Sequence, residues 1–191
     1  MADVSRKLVF RLFRRKLNES TLEPYDFSHE RFRKQRYADK LELNIVPTDA
    51  LPLYNQDDEL NPPQSVKEMK VQVAASDGIL IVTPEYNHSI PASLKNTLDW
   101  CSRVDKVMGG KPAFIIGATP GAMGTVKAQM HLRQILNSGG IGTLTLPGNE
   151  VFIGAIHEKM NVDGIVTDEG TIGFLDTVVG NFMEWVQQLK R

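Results

Sequence analysis

Two strand-then-helix units in the middle of the chain restrict the fold more than any other feature. The apolar run GILIV at 78–82 lies between turn-forming residues, which predicts a strand buried on both faces. A helical spacing of apolar residues follows over 91–103, and the same order returns with a strand at 111–117 and a helix at 126–136. Strands that alternate with helices in this way predict βαβ units and a parallel sheet.

The flanking segments extend the same pattern. Residues 40–46 alternate apolar with polar and predict another strand, and 64–75 have apolar residues at helical spacing. Shorter extended segments are predicted at 143–146 and 151–153, and an amphipathic stripe over 172–189 predicts a long final helix. The predicted fold class is α/β, a three-layer sandwich with a five-stranded parallel sheet.

The composition agrees with a single folded domain over residues 1–191. Of these residues 41% are hydrophobic and the formal net charge is −1, so apolar burial can offset the ordering entropy. The one cysteine, Cys101, cannot form an internal disulfide, and no CxxC pair or His/Cys cluster offers a metal site. No apolar run is long enough for a membrane span and no leader pattern opens the sequence, so a cytoplasmic protein without a membrane partner is expected.

The charge is unevenly distributed. Residues 1–40 have eleven Lys and Arg against six Asp and Glu. A basic arm of this kind can contact nucleic acid. Its aromatic residues are not arranged for base stacking, however, and no nucleic-acid fold signature accompanies it, so no nucleic-acid partner is predicted.

The loops after the two strongest strands are the candidate ligand site, because ligands of open parallel sheets lie beyond the carboxyl ends of the strands. The loop TPEYNHS at 83–89 combines a rigid proline, an aromatic that can cover a ring, and polar groups ahead of a helix. The loop ATPGAMG at 118–124 has small residues that let main-chain amides approach a ligand closely. Both suit a planar ligand with polar edges, although such residues are also common in ordinary loops.

Other chemistries lack their motifs. The sequence contains neither GxGxxG nor GxxxxGK[ST], which argues against a Rossmann dinucleotide turn and a Walker-type phosphate loop. The scattered histidines are His29, His88, His131 and His157, and none is paired with Ser or Cys at a nucleophile elbow. Cys101 lies on an apolar helical face, which favours a small core residue over a nucleophile. No catalytic side chain is singled out.

The string TPEYNHSIPASLKNTLDW at 83–100 resembles the hallmark of the NADPH-dependent FMN reductase family, a flavodoxin-like group that includes quinone, chromate and azo-dye reductases. The resemblance covers about 41–191. It continues through LPLY at 51–54, SR at 102–103, GGKP at 109–112, HLRQIL at 131–136 and DEGT at 168–171.

The resemblance implies a flavodoxin-like fold that binds FMN non-covalently and oxidises NADPH or NADH. Electrons would pass through the flavin to a small acceptor such as a quinone, chromate or azo compound. The residues it implies for the flavin site are Pro84, Glu85, Tyr86, Asn87, Thr119, Pro120 and Gly121. It implies a substrate-binding position for Arg103, near the active-site mouth or a subunit interface, and a homodimer or homotetramer.

Residues 8–40 depart from the family pattern. Family members have a GSxRxxSxN-like loop after the first strand, which cradles the FMN phosphate. Here a strand could begin at 7–10, but Arg11 interrupts it, and an arginine in a central strand would carry a large desolvation penalty. The segment 14–20 takes the place of the phosphate loop without its glycine.

Three interpretations of this segment stay open. Charged or hydroxyl groups at Arg14, Arg15, Lys16 or Ser20 could meet the phosphate in place of a backbone nest. The segment could be a locally altered reading frame. The chain could instead have lost FMN and be a non-enzymatic flavodoxin-like binding or scaffold protein. No phosphate-binding residue is assigned.

Overall fold

The computed structural model describes residues 7–14, 37, 39–162 and 164–190. Its strands are β1 (Leu8–Arg14), β2 (Leu41–Pro47), β3 (Gly78–Val82), β4 (Pro112–Ala118), β5 (Leu144–Thr145) and β6 (Val151–Ile153). Its α-helices in the described part are α1 (Gln64–Ala74), α2 (Ala92–Cys101), α3 (Val126–Leu136) and α4 (Glu169–Leu189).

The strands form one parallel sheet in the order β2-β1-β3-β4-β5, and β6 also pairs with β4. The first residues of β4 pair with β5 and its last residues pair with β6. Therefore β5 and β6 are the two halves of one interrupted edge strand. The predicted α/β class and five-stranded parallel sheet are confirmed, with the fifth strand divided into β5 and β6. From residue 40 onward the predicted strands and helices begin and end within three residues of the observed ones.

Helices cover both faces of the sheet, which produces the three layers. On one face α1, α2 and α3 contribute the buried residues Val66, Met69, Val73, Leu94, Leu98, Trp100, Cys101, Ala128, Leu132 and Leu136. On the other face α4 contributes Leu175, Val178, Val179, Phe182 and Val186. The Phe182 ring stacks on Phe114 of β4 with centroids 5.2 Å apart, so α4 packs directly on the middle of the sheet.

The strand β1 continues through Arg11, so the interpretation that Arg11 interrupts the first strand is wrong. The Arg11 Nε donates a hydrogen bond of 3.0 Å to the carbonyl of Gln72 in the last turn of α1. A cation is favourable at a helix C-terminus, and this contact offsets part of the expected desolvation penalty. One guanidinium nitrogen of Arg11 is buried without a hydrogen bond.

Charged side chains pair with main-chain groups at the amino edge of the sheet, the end at which its strands begin. The Asp77 carboxylate accepts from the Val9 amide at 2.8 Å and pairs with the Lys190 ammonium at 2.5 Å. The Lys111 ammonium donates to two main-chain carbonyls between α1 and β3, at 2.9 and 2.7 Å. Burial lowers the pKa of Lys111, and the nearby Asp77 partly opposes that effect.

None of the helices in the described residues has the length and apolar character that crossing a bilayer requires. The candidate phosphate contacts Arg15, Lys16 and Ser20 lie outside the described residues, and Arg14 is described only as the end of β1.

Candidate active site

The loop after β3 forms a tight two-residue turn at the carboxyl edge of the sheet. Tyr86 and Ser89 exchange main-chain hydrogen bonds of 2.9 and 3.0 Å. The two residues between them, Asn87 and His88, have φ angles of 50° and 65°. Positive φ at both central positions is the type I′ pattern, which usually requires Asn and Gly. A histidine there is strained, and the turn directs 87 and 88 toward solvent.

The loop after β4 is joined to the edge strand and the turn that follows it. The Thr119 amide donates to the Ile153 carbonyl at 3.0 Å, and the Thr119 carbonyl accepts from Ile156 at 3.1 Å. The Gly121 carbonyl accepts from Ala155 at 3.1 Å. This loop is therefore held along its length by the main chain of β6 and its extension.

Two glycines let the β4 loop pack this closely. A Cβ on Gly117 would lie 1.7 Å from the Thr125 hydroxyl oxygen. A Cβ on Gly124, whose φ is +58°, would lie 2.5 Å from the main-chain carbon of Phe152. Neither position has room for a side chain, which explains why small residues are required there.

The Glu85 carboxylate joins the β3 loop to the start of α3, the helix that follows the β4 loop. Its Oε2 accepts from the Ala128 amide in the first turn of α3, at 3.0 Å. The N-cap residue of α3, Thr125, makes no side-chain cap hydrogen bond, so Glu85 supplies the negative charge that a helix N-terminus favours. The side chain of Glu85 is thus engaged within the protein and holds the β3 loop against the start of α3.

A buried amide that the sequence did not point to supports the β4 loop from below. Gln129 is fully buried, and its Nε2 donates to the Thr125 hydroxyl at 3.1 Å and to the Val151 carbonyl at 2.8 Å. The helical pattern of α3 does not reveal the contact with Val151, because the packing of β6 brings that carbonyl to Gln129. The one signal in the sequence was a polar residue on the apolar face of a predicted helix.

Basic side chains line the outer side of the same region. The Lys127 ammonium lies 3.1 Å from His88 Nε2 and 3.4 Å from His88 Nδ1. The Ser89 hydroxyl is hydrogen-bonded to His131 Nδ1 at 2.8 Å. Two histidines that are scattered in the sequence are therefore neighbours of one loop.

The donors at the two loops fit the FMN ring system. Tyr86 is 37% exposed and can cover a ring face, and the Asn87 carboxamide is exposed. Within the described part of the chain, the amides of Asn87, Ala122 and Met123 have no hydrogen-bond acceptor. Open amides beside small exposed residues such as Gly121 match a planar ring whose edges carry carbonyl oxygens and ring nitrogens.

Arg103 lies apart from these loops within one chain. It follows the C-terminal end of α2, whereas the β3 loop precedes the N-terminal end, and ten residues of helix span about 15 Å. Its Nε is 3.5 Å from the Glu59 carboxylate and its guanidinium carbon is 5.3 Å from the centre of the Tyr54 ring. The Tyr54 hydroxyl is hydrogen-bonded to Glu59, which raises the pKa of Tyr54.

Comparisons with known proteins agree with this arrangement. The family model described as NADPH-dependent FMN reductase matches residues 27–158. A 2-hydroxy-1,4-benzoquinone reductase of a Burkholderia species is 38% identical over 170 residues, which cover 88% of this chain and 84% of that protein. A quinone reductase of Escherichia coli is 37% identical over 155 residues, which cover 78% of this chain and 81% of that protein.

A solved structure is similar over nearly the whole chain. FerB, a flavoenzyme NAD(P)H:(acceptor) oxidoreductase from Paracoccus denitrificans, superposes with a TM-score of 0.80 at 32% identity and covers 95% of this chain and 98% of that one. The predicted family, flavodoxin-like fold and oxidoreductase class are confirmed by these matches. Two adjacent strands, two joined loops and open amides at one sheet edge, together with the matching family model, establish that the chain belongs to the NADPH-dependent FMN reductase family.

Proposed function

We propose that the protein binds FMN between the loops 83–91 and 119–125, oxidises NADH or NADPH there, and reduces a quinone. Chromate and azo compounds are the alternative acceptors within the same class. The observation that carries the proposal is the Glu85–Ala128 hydrogen bond of 3.0 Å. It joins the β3 loop to the start of α3, directly after the β4 loop, where β3 and β4 end side by side. Family membership and the quinone reductases among the relatives support it.

Each loop contributes a different kind of contact. Tyr86 and Asn87 would contact the ring from the β3 loop, and the amides at 122 and 123 would donate to its edge from the β4 loop. Pro84 and Pro120 stiffen the loop beginnings. The main chain of Thr119 and Gly121 is hydrogen-bonded to β6 and to the turn after it, which keeps the β4 loop close to the ring. The family resemblance implies flavin contacts for 84–87 and 119–121, whereas the amides at 122 and 123 are added from the structure.

The chemistry divides between cofactor and protein. When bound, FMN supplies hydride acceptance and onward electron transfer. The protein orients the ring and both substrates through main-chain donors that need little reorganisation. In the net reaction NAD(P)H, one proton and a quinone give NAD(P)⁺ and a hydroquinone, so one two-electron donor is oxidised and one two-electron acceptor is reduced.

We also propose that the protein is a homodimer or homotetramer in the cytoplasm. Arg103 would lie near a subunit interface, where it could serve a partner's substrate. Exposed Arg103 beside the exposed apolar side chains of Leu60 and Val104 supports a contact surface at this end of α2. Light scattering of the full chain measures the oligomer, and a monomer would contradict this part.

The test of function begins with the purified full chain. We expect a yellow flavin absorbance band, saturable FMN binding to the apoprotein, and NAD(P)H oxidation that depends on added quinone. Absence of FMN binding in a folded protein would overturn the proposal. The scaffold alternative predicts normal folding and no NADPH oxidation with added FMN and quinone, so turnover under those conditions excludes it.

The phosphate end of FMN requires a separate measurement. The family match begins at residue 27, inside the segment 8–40 that departs from the family pattern. Peptide mass mapping of 8–40 decides whether that segment is as written. If it is, charge-removing substitutions at Arg14, Arg15 and Lys16 test which of them holds the phosphate.

A further inference from the structure

We infer that His88, Lys127 and His131 form a basic rim beside the flavin site, and that this rim binds a phosphate group of the nicotinamide cofactor. The inference rests on the proposed function, because it names a recognition site for the electron donor. It extends that function to three residues to which neither the sequence motifs nor the family resemblance gives a role.

The three side chains converge from two elements. Lys127 and His131 lie one helical turn apart on α3 and are both exposed. His88 reaches them from the tip of the β3 turn, with its Nε2 at 3.1 Å from the Lys127 ammonium. Ser89 holds His131 in place through a hydrogen bond of 2.8 Å to Nδ1. The rim therefore joins the tip of the β3 loop to the first two turns of α3.

No carboxylate of the described residues forms an ion pair with Lys127. Lys95 and Lys190 are paired with Asp99 and Asp77 at 2.6 and 2.5 Å. Lys127 instead contacts a second basic side chain, and no described carboxylate lies within ion-pair distance of it. The Glu85 carboxylate accepts from the Ala128 amide and forms no ion pair with Lys127. An ammonium has three donors, so Lys127 retains donors for an external anion after it contacts one imidazole nitrogen.

The backbone holds His88 in this place at a cost. His88 and Asn87 both have left-handed φ angles, 65° and 50°, in a turn where glycine would be relaxed. Backbone strain of this kind persists where surrounding structure over-determines it, and it concentrates at ligand-binding sites. The turn therefore fixes where His88 lies relative to Lys127.

The chemistry of the reactants selects the phosphate of the electron donor. The nicotinamide must lie against the flavin between the loops, so the charged phosphates of the same molecule lie outside the ring site, where the rim is. A quinone acceptor has no phosphate. Two groups of the electron donor share the required chemistry, the pyrophosphate that NADH and NADPH have in common and the 2′-phosphate that only NADPH has. The phosphate of FMN shares it too, so a loss of FMN affinity without a loss of nucleotide binding would assign the rim to FMN and overturn the inference.

The test compares Lys127→Gln with Lys127→Arg, and uses Lys67→Gln as the matched control. Lys67 is exposed on α1 and its ammonium is hydrogen-bonded to Asn61, so its substitution removes the same charge elsewhere. Calorimetry measures binding of adenosine 2′,5′-bisphosphate and of ADP to the full chain with and without FMN. Steady-state kinetics measures KM and kcat for NADPH and NADH, and absorbance titration measures FMN affinity.

We expect Lys127→Gln to weaken nucleotide binding and raise the cofactor KM about fivefold, as for loss of one partly exposed charge-assisted hydrogen bond. The kcat and FMN affinity stay unchanged, Lys127→Arg restores most of the loss, and Lys67→Gln matches the wild type. An effect confined to NADPH and the bisphosphate identifies the 2′-phosphate, whereas an equal effect on NADH and ADP identifies the pyrophosphate.

Unchanged binding of every nucleotide in Lys127→Gln would overturn the inference, and so would an equal loss in Lys67→Gln. The proposed function fails by a different result, namely a wild-type chain that does not bind FMN. The nucleotide calorimetry without FMN still tests the rim in that case.

Discussion

The two ends of the same parallel sheet are built in opposite ways. At the amino edge, the Asp77 carboxylate accepts from the Val9 amide and pairs with the Lys190 ammonium, and the Lys111 ammonium donates to two main-chain carbonyls. At the carboxyl edge, the amides of Asn87 and Ala122 have no acceptor among the described residues.

This difference means that the polar groups at the amino edge stabilise the fold, whereas those at the carboxyl edge are available to a ligand. Polar groups that are satisfied within the chain stabilise the fold and have nothing left for a ligand. Polar groups that stay open, held in place by close packing and a strained turn, are prepared for a ligand before it arrives. Substitutions at the amino edge should therefore change the free energy of unfolding alone, and substitutions at the carboxyl edge should also change FMN binding.

The largest effect is expected for Gly117→Ala at the base of the β4 loop. The added methyl would lie 1.7 Å from the Thr125 hydroxyl, so the loop must shift. Overpacking of this severity costs about 3 kcal/mol, and we expect FMN affinity to fall at least about tenfold. Gly139→Ala is the control, because nothing lies within 4 Å of the place that its methyl group would occupy. Urea denaturation and FMN titration measure both quantities, and wild-type values for Gly117→Ala would show that the close packing does not position the loop.

The second largest effect is expected for a substitution at the amino edge of the sheet. Asp77→Ala removes the acceptor of the Val9 amide and the partner of Lys190. We expect the free energy of unfolding to fall by about 2 kcal/mol, as for a partly buried donor left unsatisfied beside an unpaired cation. FMN affinity should not change. Asp99→Ala, which breaks the exposed Lys95 pair, should cost less than about 0.5 kcal/mol. A loss of FMN affinity in Asp77→Ala would contradict the separation of the two edges.

The third prediction concerns the buried core between the two ends of the sheet, where Cys101 makes the free energy of unfolding depend on pH. Burial raises the pKa of its thiol to about 12. Because the folded pKa exceeds the unfolded value near 8.5, the thiol's contribution to stability is complete below that value and is lost as the pH rises above it. The loss should reach about 2 kcal/mol at pH 10.

Cys101→Ala removes this dependence and is the comparison for Cys101. Urea midpoints of both proteins from pH 7 to pH 10 should diverge as the pH rises, with the wild type losing more stability. Equal slopes would mean that the thiol is reached by water, and that α2 does not seal its face of the sheet.

The sequence predicted the sheet well because its strands are short apolar runs between turn residues. GILIV at 78–82 is a strand in any tertiary context that buries both faces, and it was found where predicted. Arg11 shows the limit. Its acceptable partner, the Gln72 carbonyl, is sixty-one positions away and is brought near only by packing, so local reasoning interpreted the arginine as a break.

The candidate site shows the same limit more strongly. The motif placed Glu85 at the ligand, but the amide that its carboxylate accepts from belongs to Ala128, forty-three positions later. Gln129 and the neighbouring pair His88 and Lys127 were not found either, because each depends on contacts between separate elements. Sequence pattern identified the loops, and the relation between the loops required the structure.

Substitution of Glu85 measures how far the contact between the β3 loop and α3 contributes to stability and to FMN affinity. Glu85→Ala removes the only side-chain cap described for α3 and should cost about 1 kcal/mol, with a severalfold loss of FMN affinity as the loops separate. Glu85→Gln keeps a carbonyl acceptor and should recover most of both. If the glutamine variant loses FMN as fully as the alanine variant while unfolding normally, the charge itself acts on the ligand and the positioning role is wrong.

The smallest effect is expected for Arg103, which is predicted from the family resemblance to serve a substrate. Within one chain it lies beyond the far end of α2, beside Glu59 and Tyr54, so Arg103→Gln should change FMN affinity less than about twofold. If a second subunit places it near that subunit's substrate, the same variant raises the quinone KM or weakens the oligomer, and light scattering together with kinetics measures both. No change in either quantity would remove Arg103 from the site, whereas a large loss of FMN affinity in a monomer would show that the two ends of α2 are coupled.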